Sequence, residues 1–165
     1  MLHLNARSLN RNLDSIKLLL QSLEHTCSFI GICESWLRPN TNSPSMFDIE
    51  GYTLLRADRC DGRGGGVALY FENGISFKLL DNMPEISHCE TLSIEVNNGS
   101  KHKSTAIGVI YHPPGTPVDQ FSLKTDQYIH TMSENQRQVY LMGDFNINLL
   151  LNENEISDNN FITLL

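Results

Sequence analysis

The feature that most constrains this chain is a succession of short apolar runs of strand length, divided by turn signals, with two stretches of helical periodicity among them. Tyr52 to Arg56, Gly66 to Phe71, Ile75 to Leu80 and Thr91 to Val96 read as strands, separated by Asp61-Gly62, Asn73-Gly74 and Met83-Pro84. Glu72-Asn73-Gly74-Ile75 predicts a tight hairpin between two of them. Further strands are expected at Leu2 to Leu4, Ser28 to Glu34, Thr105 to Tyr111 and Gln138 to Met142, with Arg38 to Ser45 as a surface loop. Leu13, Ile16, Leu19, Leu20 and Leu23 predict an amphipathic helix from about Asn12 to Leu23. A second, from about Val118 to Met132, would bury Phe121, Leu123, Tyr128 and Ile129. Many strands, two long helices and no repeat point to an α/β sandwich, two packed mixed sheets with flanking helices in four layers.

A length of 165 residues with 40% hydrophobic content suits one globular domain spanning 1–165 and excludes a disordered chain. The apolar runs are too short to span a bilayer, and the N-terminus lacks a basic-then-apolar leader pattern, so a soluble, intracellular and monomeric protein is expected. Cys27, Cys33, Cys60 and Cys89 form no C-x-x-C pair and read as reduced, structural thiols. A formal net charge of -7 argues against a passive DNA-binding module but is compatible with a nuclease whose carboxylates need a cation before they can hold a phosphate.

Polar groups suited to metal or phosphate stand at the ends of apolar strands: Asn5, Glu34 and the pair Asp144 and Asn146. A rigid sheet can hold such side chains to catalytic tolerances. Taken singly, Glu34 also reads as a solvated rim residue, and Gly143-Asp144-Phe145-Asn146 as a turn closed by Asx side chains.

In chain order, Leu4-Asn5-Ala6-Arg7-Ser8-Leu9, Ile32-Cys33-Glu34-Ser35-Trp36-Leu37, Arg63-Gly64-Gly65-Gly66-Val67-Ala68, Ile110-Tyr111-His112-Pro113-Pro114 and Gly143-Asp144-Phe145-Asn146 resemble the endonuclease domain of non-LTR (LINE-type) retrotransposons. That family is a branch of the endonuclease/exonuclease/phosphatase superfamily. The resemblance implies that Glu34 holds a divalent metal, Mg²⁺ or Mn²⁺, with Asn5 beside it on the metal water or the phosphate. It implies that Asp144 orients or activates the attacking water, that Asn146 donates to a phosphate oxygen, and that Tyr111 donates to developing negative charge. A hard cation with oxygen ligands suits phosphodiester hydrolysis, which consists largely of positioning and charge neutralisation. The implied partners are the DNA phosphate backbone and a fused or associated reverse transcriptase, with a nuclear site of action.

The chain departs from the family in lacking the late Ser-Asp-His segment, so a domain incomplete at its C-terminus and inactive by itself is expected. Arg7 stands where apurinic-site enzymes carry an acidic residue, and Ser35 where a threonine is common. A noncatalytic binding domain and a phosphatase of the same superfamily are the alternatives.

Arg59 and Arg63, with Arg56, concentrate positive charge in an acidic chain and could contact DNA phosphates; a solvated loop accounts for them equally well. Arg63-Gly64-Gly65-Gly66 lacks the Lys-Ser or Lys-Thr of a phosphate loop and reads as a loop that lets a strand start close to a neighbour. Trp36 is expected to pack beneath the metal carboxylate, and His112 is the one histidine placed where it could face the cleft.

Overall fold

A computed structural model describes residues 1–39, 44–97, 99 and 104–147. One sheet contains β1 (Leu2–Asn5), β2 (Phe29–Cys33), β3 (Tyr52–Ala57) and β4 (Val67–Glu72) in the order β1-β2-β4-β3. The other contains β5 (Phe77–Leu79), β6 (Glu90–Asn97), β7 (Ser104–Tyr111) and β8 (Gln138–Asp144) in chain order. Both are mixed: β1 and β2 run parallel, as do β7 and β8, and the remaining pairs are antiparallel.

The two-residue alternation of β4 and β7 generates the layers. Val67, Leu69 and Phe71 meet Ile94, Ile107 and Val109 between the sheets. Ala68 and Tyr70 face the other way and pack with Leu9, Leu13 and Ile16 of α1 (Leu9–Ser22). Ala106 and Ile110 likewise pack with Phe121, Tyr128 and Met132 of α2 (Val118–Ser133). Strands buried on both faces must be apolar at every position, which is why these runs are continuous rather than alternating. The result is the four-layer α/β sandwich expected from the sequence.

Several local expectations change. Glu72-Asn73-Gly74-Ile75 turns, with Ile75 N–H donating to the Glu72 carbonyl at 3.3 Å, but it joins no hairpin. Both edges of β4 are already taken, by β2 and β3, so the chain must cross to the other sheet, where β5 pairs with β6. The first helix starts at Leu9 because that side chain is fully buried, and Asn12, read as the start, instead donates from its amide to the Ala6 carbonyl. Leu19 and Leu23 are exposed at the far end of α1, as are Leu123 and Ile129 on α2. The buried stripe of α2 is Phe121, Ser122, Thr125, Tyr128 and Met132, which stops short of the leucine two positions past Phe121. Pro44–Phe47 forms a 3₁₀ turn that buries Phe47, while Asn40 to Asn42, His102 and Phe161 to Leu165 lie outside the described residues.

Burial pushes the Cys33 thiol up to about 12 and the Tyr70 and Tyr128 hydroxyls above their ordinary range. The unfolded chain therefore releases these protons first, and stability falls as pH rises from the ordinary thiol and phenol values toward the folded ones. Urea midpoints are expected to drop between about pH 7.5 and about pH 10.5, and an unchanged midpoint would contradict this burial.

Candidate active site

The parallel pairs β1/β2 and β7/β8 belong to opposite sheets, yet their C-terminal ends reach one rim. Asn5 ends β1, Glu34 follows β2, Tyr111 ends β7 and Asp144 ends β8. In register, Asn5 lies beside Cys33 and Tyr111 beside Asp144. The Asn5 amide nitrogen donates to Glu34 Oε1 at 2.8 Å and to Asp144 Oδ2 at 2.6 Å. Only the donor end of an amide can sit between two carboxylates, and its Oδ1 accepts from the Arg7 N–H at 3.1 Å. Glu34 also receives the Tyr111 hydroxyl on Oε1 and the Trp36 indole N–H on Oε2, each at 3.3 Å. Asp144 Oδ1 accepts the Asn146 backbone N–H at 3.1 Å, and Asn146 Nδ2 donates to the His112 carbonyl at 2.7 Å.

The backbone at this rim is held in unusual conformations. Arg7, Ser8, Glu34, Trp36 and Asn146 have φ of 42°, 94°, 51°, 55° and 47°. Left-handed conformations cost non-glycine residues of order 1–3 kcal/mol each and persist only where the surroundings over-determine them. Those surroundings are visible: Ser8 and Leu9 N–H groups donate to the Glu34 and Ser35 carbonyls, and Ser35 and Trp36 donate to those of Gly66 and Gly65. The glycine run is thus the wall against which the Glu34 segment is laid. A Cβ on Gly66 would lie 2.6 Å from Ser35 Oγ.

Asn5, Glu34, Tyr111 and Asp144 therefore touch directly, with Asn146 attached through Asp144. Arg63 is exposed, its guanidinium 6.0 Å from the Trp36 ring centroid. Arg59 lies 5.6 Å from the Tyr111 ring centroid and is paired with Glu90, while Arg56 pairs with Asp58 at 3.3 Å. His112 does not face the cleft: it is buried, stacks on Phe121 at 4.1 Å and donates from Nδ1 to the Phe145 carbonyl. Among the remaining histidines, burial holds His3 below its ordinary value, with Nε2 3.3 Å from Cys33 Sγ under the rim.

Burial and the Glu34 charge push the Tyr111 hydroxyl up to about 12, so at neutral pH the phenol keeps its proton and acts as a donor. Among the described residues no three His, Cys, Asp or Glu side chains gather as a metal cage. The metal-type donors present are oxygens, the Glu34 and Asp144 carboxylates; Asn5 turns Nδ2 toward both and Oδ1 to the Arg7 N–H, and would have to turn its amide over to offer that oxygen. This set fits a hard ion that takes one or two protein oxygens and keeps several waters. Glu90 is the member of this neighbourhood that sequence reasoning missed, because it is brought beside Tyr111 only by the β6–β7 register.

No protein-family model matches the sequence, and no curated protein matches it. Solved structures do. The catalytic domain of Xenopus laevis APE2 superposes with a TM-score of 0.65 at 14% identity, over 96% of this chain and 63% of that one. The endonuclease domain of TRAS1, a telomere-specific non-LTR retrotransposon, gives 0.60 at 11%, over 88% and 58%. A Bacteroides thetaiotaomicron mannosyl-6-phosphatase gives 0.62 at 10%, over 99% and 69%. The chain thus spans somewhat over half to about two thirds of the length of these structures, and the likeness is one of fold. Among the described residues no helix is long and apolar enough to cross a membrane.

Proposed function

We propose that this chain, whose fold is that of the endonuclease/exonuclease/phosphatase enzymes, supplies the metal- and water-holding residues of a Mg²⁺-dependent phosphodiesterase. Its substrate is DNA, nicked to prime synthesis by a fused or associated reverse transcriptase in the nucleus. The observation that carries this reading is the single Asn5 amide that ties Glu34 of one sheet to Asp144 of the other.

Glu34, with Asn5 beside it, would hold the divalent ion, which when bound neutralises phosphate charge and lowers the pKa of water. Asp144 is oriented by two donors, one on each oxygen, leaving lone pairs to take a proton from the attacking water. Tyr111 and Asn146 are the neutral donors. The phenol keeps its proton, and the amide of Asn146, with one hydrogen on the His112 carbonyl, has a second for a phosphate oxygen. Arg63, exposed against Trp36, would meet the DNA backbone.

The 165 residues contain no Ser-Asp-His segment, and His112 is turned away, so the chain by itself is expected to nick DNA weakly or not at all. A plasmid-nicking assay with Mg²⁺ would compare it with the same chain extended by a C-terminal segment that carries Ser-Asp-His. The extended protein should nick, and its Glu34→Ala variant should lose at least ~10³-fold. Nicking that survives Glu34→Ala would remove the metal role. Release of phosphate from a monoester without nicking would favour a phosphatase.

A further inference from the structure

Glu90 stands directly opposite Tyr111 in the antiparallel β6–β7 register. Its carboxylate takes the Arg59 guanidinium in a forked grip, Nε at 2.5 Å and Nη2 at 3.0 Å, and also accepts the Gly66 N–H at 3.3 Å. The pair is largely withdrawn from water, with 20% of the Arg59 and 13% of the Glu90 side chain exposed. The guanidinium lies against Gly65, where any Cβ would overlap it, with the Tyr111 ring 5.6 Å away. Gly65 and Gly66 in turn offer their carbonyls to Trp36 and Ser35, the residues that follow Glu34.

We propose that Glu90 is a positioning residue of this site: through Arg59 and Gly66 it fixes the Tyr111 ring and the glycine wall, and so sets where phenol, indole and Glu34 carboxylate meet. The inference rests on the proposed function, in that Glu34 and Tyr111 are its working groups. Two lines of contact converge on Glu34. One runs from Glu90 through Gly66 and Gly65 to the backbone of Ser35 and Trp36. The other runs from Arg59 to the Tyr111 ring, whose hydroxyl bonds Glu34 Oε1. A forked, charge-assisted pair resists rotation in a way a single bond does not. It also explains a cation held beside an anion-binding rim: Arg59 is matched by Glu90 and serves as a brace.

Trp36 is the sole tryptophan, so its indole N–H gives one signal, and that N–H is bonded to Glu34 Oε2. In metal-free ¹⁵N-labelled protein, Glu90→Gln is expected to speed hydrogen exchange of the Trp36 indole and of the Ser35 and Trp36 amides at least about tenfold. The Ile94 and Ile107 amides at the centre of the β6–β7 ladder should keep their protection. Arg59→Met combined with Glu90→Gln should be no worse than the stronger single change, because the two act as a unit. An unaltered indole, or equal acceleration of Ile94 and Ile107, overturns the proposal. If Glu90→Gln fails to fold, Arg59→Lys, which keeps the charge but loses the fork, carries the same expectations. Added Mn²⁺ should broaden the Trp36 signal in the parent and not in Glu34→Gln. Failure of that arm alone would remove the metal reading and leave the positioning result standing.

Discussion

Gly143→Ala is expected to cost about 3 kcal/mol or more, a large fraction of the roughly 5–15 kcal/mol that holds a domain folded, or to detach β8. Gly143 pairs with Ile110 in the parallel β7–β8 register, and a Cβ there would overlap the Ile110 carbonyl oxygen. The obstacle is backbone, so no side-chain rotation relieves it. The only relief is to separate β8 from β7, which also withdraws Asp144, the next residue, from the rim. Urea denaturation followed by circular dichroism would measure the loss. A variant within about 1 kcal/mol of the parent would mean that β8 does not lie where the structure places it.

The second large effect is expected from Asn5→Asp. The amide that now donates to both Glu34 and Asp144 would become a third carboxylate between them. Two unit charges about 4 Å apart repel by roughly 4 kcal/mol at an effective dielectric near 20, and partial exposure reduces this to about 1–2 kcal/mol. Crowding raises the folded-state pKa of at least one carboxyl above its unfolded value. The folded state then binds more protons than the unfolded one through the acid range, so stability lost at neutral pH returns as pH falls. Millimolar Mg²⁺ should restore it at neutral pH by occupying the cluster, whereas Asn5→Ala, which keeps Glu34 and Asp144 but adds no third charge, should respond less to both acid and Mg²⁺. Equal melting temperatures of Asn5→Asp with and without Mg²⁺, and at pH 5 and pH 7, would show that the carboxylates do not meet.

The apolar runs revealed the strands at their places with ends shifted by a residue or two, and the residues proposed for the site, Asn5, Glu34, Tyr111 and Asp144, stand at or just past strand ends. The hairpin expected at Asn73-Gly74 shows the limit of that reading. The dipeptide encodes a turn, but whether the flanking strands pair depends on whether an edge is free, and β4 has none. Leu123 and Ile129 show the same limit on a helix: periodicity finds a face, while the width of the groove it enters belongs to the sheet beneath.

What the sequence determined by itself was the alternation of buried and exposed positions, the class of fold, and which chemically useful side chains terminate strands. These depend on hydrophobicity and backbone preference over a few residues. Only the tertiary structure decided that Asn5 bridges two carboxylates from different sheets, that His112 turns inward, that Gly143 is required for space rather than for a turn, and that Glu90 and Arg59 brace Tyr111. Backbone hydrogen bonds are chemically alike in every strand, so they do not specify a partner. Partners are chosen by the packing of whole sheets, and contacts between residues far apart in the chain exist only once that choice is made.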